Sequence, residues 1–367
     1  MNSQEPEQTD TNAFNSEQQK VMNQVRASRI LLPVIIGLGV VGYLVWKKFD
    51  PAAFAKIEWN QHTAFWLFIG MLFLVLRHLF YSARLYIITQ GACSYFTCIE
   101  LIFIFEFSTT IAPTQVGGAA VAIVVLSQEK LSAAKTATVV LLKVVLDSLF
   151  FLTTLPLFAI IIGPKMIRPG LESFAELDSW GIAFVASYIG MSIYSGLFTY
   201  GLLVNPHGAR RLLYWIVSPK FMKKFRENGM RLGDEFVLSS KELQKKHWSF
   251  FLKAIGATTF AWLSKFFMMS CLIIAFVPDI SRDFLTQLTI YARLEAMFVI
   301  TAFSPTPGGS GLAEAAFEGF FNDFITGAGT ALIVAFVWRL MAYYTYLVLG
   351  LFIIPNWLRK IVKKKVA

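Results

Sequence analysis

Long apolar runs separated by short polar segments dominate this chain. A helix needs about 20 apolar residues to cross the hydrocarbon core of a bilayer. Six runs are long and apolar enough for this, with few charged residues. They predict six full membrane spans, at residues 30–46, 63–90, 132–162, 181–204, 254–277 and 330–354.

Two further apolar runs, 97–128 and 284–327, are each divided by a break rich in Pro and Gly. In the first run, the arm 116–127 has twelve residues, which is too short to cross a bilayer. In the second run, the arm 311–327 carries three acidic residues and is too polar to face lipid. Both runs are therefore predicted to be re-entrant hairpins, although two full crossings each would satisfy the same topology.

Composition supports a membrane protein. The chain is 56% hydrophobic and 15% charged, and its mean hydropathy is +0.58. These values exclude a disordered chain, a disulfide-rich mini-protein and an ordinary cytosolic enzyme. The net charge of +10 could indicate nucleic-acid binding, but no nucleic-acid-binding motif is present, so we expect no nucleic-acid partner.

The charges of the loops orient the spans. Residues 205–253 hold eleven Lys or Arg against four acids, and residues 359–367 hold five Lys or Arg and no acid. Residues 163–180 hold two basic and three acidic residues. Because basic loops face the cytoplasm, the first two segments are predicted to lie inside and the third outside. The first span is poorly oriented by charge, since residues 1–29 and 47–62 hold three basic residues each.

This topology repeats itself along the chain. A span, a hairpin and a span occupy residues 63–162 and again 254–354, and the loop charges give the two halves opposite orientations. Inverted repeats with broken helices are common in secondary transporters, whose sites lie at the midplane between the repeats. We therefore predict an all-α polytopic membrane protein with about six full spans and two re-entrant hairpins in an inverted repeat.

The predicted divisions follow from the same pattern. Residues 1–29 are polar and are expected to form a disordered cytoplasmic tail. Residues 30–358 form the transmembrane domain, which includes a basic cytoplasmic loop at 205–253. Residues 359–367 form a basic cytoplasmic tail.

The break of the second hairpin contains Pro305, Pro307, Gly308 and Gly309. Proline donates no backbone N–H, and glycine lets the backbone approach other groups closely. A helix that begins near Ser310 would direct its positive N-terminal end at the midplane, where it suits an anionic headgroup such as phosphate. The alternative is a helix break that serves packing alone. The first break, with Pro113, Gly117 and Gly118, leaves both interpretations equally open.

Ionisable residues inside spans are costly and usually face the protein interior in pairs. Lys143 and Asp147 are one helical turn apart and could form a simple ion pair. Arg339 has no acid one turn away, so its partner must come from elsewhere, and Glu314 is the candidate. Arginine binds phosphate in a bidentate manner better than lysine does. Arg84 lies near the cytoplasmic end of its span, where snorkelling and function are both open.

Other ionisable groups carry less weight. Arg77 and Lys265 are expected to be structural.

Enzyme signatures such as the phosphate-binding loop, the nucleophile elbow and the zinc-protease helix are absent from the sequence. We expect no cofactor, no metal site and no catalytic residue.

The residues from Pro305 to Ala315, followed by Trp338, Arg339, Leu340 and Tyr343, form a specific pattern. With weaker matches at 83–85, 113–118 and 143–147, this pattern resembles the lysylphosphatidylglycerol synthase transmembrane-region family, also described as flippase-like membrane domains. The resemblance covers roughly residues 30–360.

The resemblance implies a protein of a bacterial-type inner membrane, with both termini cytoplasmic, that moves or binds lipids with charged headgroups. The best-known members are fused to a soluble aminoacyltransferase. This chain ends at Ala367 without one, so we expect no aminoacyl transfer. The family often has Arg and Glu where this chain has Gln115, Val116 and Gly118, and a basic residue where it has Ala313. Both departures bear on the identity of the headgroup.

The leading hypothesis is a flippase or transporter for a phospholipid or a polyprenyl-phosphate-linked lipid. The first alternative is an intramembrane headgroup transferase with Glu314, Glu106 or Asp147 as its base. The second is a non-transporting partner of a cytosolic enzyme, and an oligomer is possible. The predicted substrate-binding residues are Arg84, Pro113, Gly117, Gly118, Lys143, Asp147, Pro305, Pro307, Gly308, Gly309, Glu314, Arg339 and Tyr343.

Overall fold

The computed structural model describes residues 46, 55, 59–111, 122, 123, 125–129, 131–218, 223–304, 312–325 and 328–366. The chain divides into two units, residues 1–48 and 49–367, and all helices given below belong to the second unit. Helices make up 84% of the described residues, which contain no strand. The all-α prediction is therefore confirmed for this part of the chain.

Eleven α-helices make up the described part of the second unit. Three are followed by a short segment of a different helical type: the 3₁₀ turn Gly163–Met166 after α3, and the π turns Tyr200–Val204 after α4 and Leu340–Tyr344 after α10. The α-helices are α1 Gln61–Ile88, α2 Tyr95–Ile111, α3 Ala133–Ile162, α4 Ser179–Thr199, α5 Pro206–Val217, α6 Lys223–Gln244, α7 Trp248–Phe276, α8 Phe284–Thr301, α9 Leu312–Phe321, α10 Ala328–Arg339 and α11 Thr345–Val366.

Five helical segments within the described residues are long and apolar enough to cross a membrane. They correspond to five of the six predicted spans, whereas the span at 30–46 lies outside the described residues except for Trp46. The protein is therefore a multi-pass membrane protein. The five segments are Gln61–Ile88, Ala134–Met166, Ser179–Val204, Trp248–Phe276 and Ile333–Ile361.

Side-chain caps determine where several of these helices begin. Asn60, Ser132, Asp178 and His247 each accept a backbone N–H from the first turn of the helix that follows. Such caps satisfy donors that have no partner within the helix. Asp283 caps α8 in the same way, and hydrogen bonds from Ser281 and Thr286 lower the pKa of its carboxyl group.

Most of the segment predicted as a basic loop at 205–253 is helical. It contains α5, α6 and the first turn of α7. Arg210 of α5 and the Tyr214 hydroxyl both donate to Asp234 of α6, at 2.8 and 2.9 Å, so these two helices are joined by polar contacts. The last span also differs from its predicted length, because α11 continues to Val366, through residues that we expected to form a tail.

The predicted hairpins are described only in part. α2 leads to the first break and α8 to the second, and α9 follows the second break. Residues 112–121 and 305–311 lie outside the described part of the chain. The re-entrant course of both segments and the inverted repeat therefore stay predictions.

The packing of the helices positions the charged residues. α7 is the most deeply buried of the five candidate spans and packs against α1 along much of its length. Gly70 of α1 faces Cys271 and the Met268 carbonyl of α7, and the small glycine lets the two backbones approach closely. α2 packs against α11, and α8 packs against α3. Polar residues on the inner faces of these helices are thereby brought together.

Candidate functional site

Two arginines lie on one face of α1. Arg77 and Arg84 are seven residues apart, which is two helical turns, and both are buried. The ring of Tyr81 lies between them, with the guanidinium carbons of Arg77 and Arg84 at 5.0 and 4.7 Å from its centre. Cation–π contact with one aromatic ring therefore links the two arginines.

Arg77 joins three helices. It donates to Glu106 of α2 at 2.7 Å and to the Tyr346 hydroxyl of α11 at 3.1 Å. His78, the next residue on α1, lies 3.3 Å from the same hydroxyl and 3.2 Å from the carbonyl of Ile99. Each of these buried polar groups thus has a partner on a neighbouring helix, as burial requires.

Arg84 forms an ion pair with Asp147 of α3, and Asp147 also accepts a hydrogen bond from Trp262 Nε1 of α7 at 2.8 Å. The open prediction of a Lys143–Asp147 ion pair is wrong, because Arg84 reaches this carboxylate from α1 and the structure has no ion pair between Asp147 and Lys143. Snorkelling of Arg84 is excluded for the same reason, since its side chain is 2% exposed and points into the protein.

Two lysines contact aromatic rings. Lys143 Nζ is 5.8 Å from the centre of the Phe105 ring, and Lys265 Nζ is 3.7 Å from that of Phe298 and 4.5 Å from that of Trp262. Neither ammonium group has a carboxylate within ion-pair distance among the described side chains. Both lysine residues are half-buried.

Arg339 and Tyr343 lie where α10 passes into its π turn. The Arg339 guanidinium lies 5.1 Å from the centre of the Trp338 ring and 5.4 Å from that of Tyr343. The Tyr343 hydroxyl donates to the carbonyl of Thr110 at 3.0 Å, next to the first break. A π turn places one extra residue in the helix and is frequent at functional sites.

The structure thus brings together Arg84, Lys143 and Asp147. Arg339 lies within electrostatic range of Lys265, which also interacts with Arg77, Glu106 and Asp147. Eight predicted site residues cannot be placed: Pro113, Gly117, Gly118, Pro305, Pro307, Gly308 and Gly309 lie outside the described residues, and Glu314 belongs to α9 but its side chain is not described.

Sequence reasoning missed several members of this cluster. Arg77 and Lys265 were not among the predicted site residues and were expected to be structural, and the structure places both within electrostatic range of Asp147 or Lys143. The seven-residue spacing of Arg77 and Arg84 was a usable signal for a shared face. The contribution of Trp262 and Tyr346 had no comparable signal, because an aromatic residue in an apolar helix is usually part of the core.

Seven residues, five cations and two carboxylates, form a charged cluster in the described part of the protein. Such an excess of positive charge can bind an anion and hold its position. No group of three potential metal ligands occurs among the described residues. The members of the charged cluster are Arg77, Arg84, Lys143, Lys265, Arg339, Glu106 and Asp147.

The fold and the charged cluster define a helical multi-pass membrane protein with an ionic centre among its spans. The sequence model of the lysylphosphatidylglycerol synthase transmembrane region matches residues 30–350, so the chain belongs to this family. It is also 25% identical over 264 residues to a UPF0104 membrane protein of Archaeoglobus fulgidus, which covers 70% of this chain and 75% of that relative. No solved structure matches the chain.

Proposed function

We propose that this protein is a flippase or transporter for a lipid with an anionic, phosphate-containing headgroup, and that the charged cluster is its binding site. The observation that carries the proposal is that, among the described side chains, Lys143 and Lys265 contact aromatic rings and form no ion pair, beside the two arginine–carboxylate pairs of the charged cluster. Charges at this depth are costly and usually mark a substrate or ion pathway. An anionic headgroup would be attracted to these two ammonium groups.

The roles within the charged cluster follow from its contacts. Arg77 and Arg84 each have their own carboxylate, so they fix the geometry of α1, α2 and α3 around the site. Lys143 and Lys265 lie on aromatic rings and are the groups best placed to exchange those contacts for a phosphate. Arg339 would add a planar donor that matches two phosphate oxygens.

The packing of the helices supports a transporter architecture. In the predicted halves, α1 corresponds to α7, α2 to α8, and α3 to the last span formed by α10 and α11. The two first spans, α1 and α7, pack against each other. The hairpin helix α2 of the first half packs against the last span of the second half, in α11, and the hairpin helix α8 of the second half packs against the last span of the first half, α3. Two halves related by a two-fold axis would give such matching contacts.

Family membership supports a lipid-related role, because the family is named after the transmembrane region of an enzyme that synthesises a lipid.

The alternative function, a headgroup transferase, receives less support. Two of its candidate bases, Glu106 and Asp147, are each engaged in an ion pair with an arginine of α1, Arg77 and Arg84 respectively.

The test is mass spectrometry of the lipids that co-purify with the wild-type protein and with its variants. We expect one class of anionic lipid to be enriched in the wild type and lost in Lys265→Ala and Arg339→Ala. Lys253→Ala, which removes an exposed lysine from the first turns of α7, is the matched control and should keep the lipid. All variants should be checked for folding by thermal unfolding.

The same lipids in the wild type and in both cluster variants would contradict the proposal. If a class is enriched, transport of a fluorescent analogue of that class in reconstituted vesicles then measures whether the lipid is moved or only bound.

A further inference from the structure

Glu295 lies in the middle of α8 and is completely buried, with 0% of its surface exposed. Thr154 of α3 donates a hydrogen bond to Glu295 Oε2 at 2.7 Å. Tyr291, one turn earlier on α8, adjoins the carboxyl group. The second oxygen, Oε1, and the Tyr291 hydroxyl form no hydrogen bond of normal geometry, although the two groups lie close enough to interact. The carboxyl group therefore has neutral hydroxyl groups, and no cation, as its polar neighbours among the described side chains.

The charged side chains of α7 and α3, two of the helices that pack against α8, contact groups other than Glu295. On α7, Lys265 Nζ lies on the rings of Phe298 and Trp262 and forms no ion pair with Glu295. On α3, Asp147 is paired with Arg84. α4 contributes only neutral tyrosines, of which Tyr188 donates to a backbone carbonyl of α3.

The remaining elements that pack against α8 also leave Glu295 without a cation. Arg293, on α8 itself, donates to both carboxylate oxygens of Asp323 at 2.6 and 2.8 Å. Lys165 of the 3₁₀ turn pairs with Glu172 at 3.4 Å. Glu318 of α9 is exposed. Among the described side chains, Glu295 is thus a deeply buried carboxyl group with no positive partner.

An ionised carboxylate in such surroundings loses its hydration without gaining a counter-ion, which strongly favours the neutral acid. A proton on Oε1 removes the charge, while Oε2 keeps the hydrogen bond from Thr154. Buried carboxyl groups of this kind are the proton carriers of many pumps and transporters.

We propose that Glu295 is a proton-binding site that couples lipid movement to protons. The carboxyl group carries a proton while it is buried, and it releases that proton to water as hydronium when the helices around it separate. The resulting carboxylate takes up a new proton from water before the helices close again. This inference rests on the proposed function, because coupling requires a lipid that moves.

Phe298 connects this site to the charged cluster. It lies one turn after Glu295 on α8, and its ring contacts the ammonium group of Lys265. A phosphate that draws Lys265 away from the ring would change the packing of the same turn of α8. Binding of the anion and burial of the carboxyl group are thereby linked through one helix.

The first experiment is infrared spectroscopy of the purified protein at neutral pH. We expect the carbonyl stretching band of a protonated carboxylic acid in the wild type and its loss in Glu295→Gln. Glu318→Gln, which removes an exposed carboxylate, is the control and should keep the band. Thr154→Val should shift the band, because the hydrogen bond to Oε2 is lost. This variant replaces Glu295→Gln in the test if Glu295→Gln does not fold. Identical bands in the wild type, Glu295→Gln and Thr154→Val would overturn the proposal.

The second experiment uses vesicles of phosphatidylcholine and phosphatidylglycerol with a fluorescent phosphatidylglycerol as the probe. We expect an imposed pH gradient to change the rate of probe movement in the wild type, and we expect this response to be lost in Glu295→Gln. A full response in the variant would overturn the coupling. If the wild type neither enriches nor moves a lipid, the proposed function fails, and the infrared spectra still decide whether Glu295 binds a proton.

Discussion

Arg77 and Arg84 show how individual residues shape this protein. Each lies in an apolar helix, and each is matched by a carboxylate from a different helix, Glu106 for Arg77 and Asp147 for Arg84. Removing one partner of such a buried pair is far more damaging than removing both, because a single charge is then left without compensation. The ion pairs therefore constrain the positions of α1, α2 and α3.

Arg84→Ala should lower the free energy of unfolding by about 3 kcal/mol, because it leaves Asp147 with only its hydrogen bond from Trp262. Thermal unfolding in detergent measures the change. Arg168→Ala breaks the more exposed pair with Asp178 and should cost only about 0–1 kcal/mol. The double variant Arg84→Met and Asp147→Asn should recover part of the loss, because the amide oxygen still accepts from Trp262. Equal effects of Arg84→Ala and Arg168→Ala would contradict the role of burial.

Residue-level prediction from the sequence succeeded where the physics is local. The cost of a charge in an apolar helix indicated that Asp147 and Arg339 face the protein interior, whereas the position of Arg84 was left open between snorkelling and function. The choice of partners could not be predicted, because spacing along one helix favoured Lys143 for Asp147. The structure brings in Arg84 from another helix instead.

At the scale of elements, the last span meets α2 at very close range. A Cβ atom added to Gly350 of α11 would lie 2.3 Å from Cδ2 of Phe107 and 2.9 Å from its Cβ. Since α2 leads to the first break and carries Glu106, this close approach helps to place one side of the charged cluster. Glycine is required here for space rather than for an unusual backbone conformation.

Gly350→Ala should therefore lower the free energy of unfolding by about 1–3 kcal/mol through overpacking. Gly256→Ala is the matched control, since Gly256 is also helical and a Cβ there meets no atom within 4 Å. It should be neutral or stabilising, because alanine favours the helix more than glycine. In a double-mutant cycle, Phe107→Ala should reduce the effect of Gly350→Ala. Additive effects would show that the two residues are not in contact.

Helix boundaries were predictable to the extent that hydropathy determines them. The predicted span 63–90 is the helix Gln61–Ile88, and 132–162 is the helix Ala133–Ile162. The continuation of α11 to Val366 was not predicted, because basic residues end an apolar run without ending a helix. Contacts of Trp357 with Glu129 and of Lys360 with Glu100 stabilise this extension.

At the scale of the whole molecule, the orientation in the membrane stays a prediction from loop charges. Ser179–Val204 separates the predicted outer segment 163–180 from the predicted inner segment 205–253. Because this segment is long enough to cross the bilayer once, the two flanking segments should lie on opposite sides.

Labelling of single cysteines with a membrane-impermeant maleimide tests this orientation. The native Cys93, Cys98 and Cys271 are buried and should be replaced by Ala or Ser. Glu172→Cys should be labelled from outside in intact cells, whereas Lys241→Cys should be labelled only after the membrane is opened. Both positions are exposed, so access to the reagent differs only through the membrane. The reverse pattern would invert the topology.

The sequence by itself determined the class of protein, the all-α fold of the described part, five candidate spans and the family, because each depends on composition or on patterns along one segment. Only the tertiary structure decided which charges meet, that Arg77 and Lys265 belong to the charged cluster, and that Glu295 has no cation beside it among the described side chains. The physical reason is that hydropathy acts within a single helix, whereas ion pairing and burial depend on which faces of distant helices pack together.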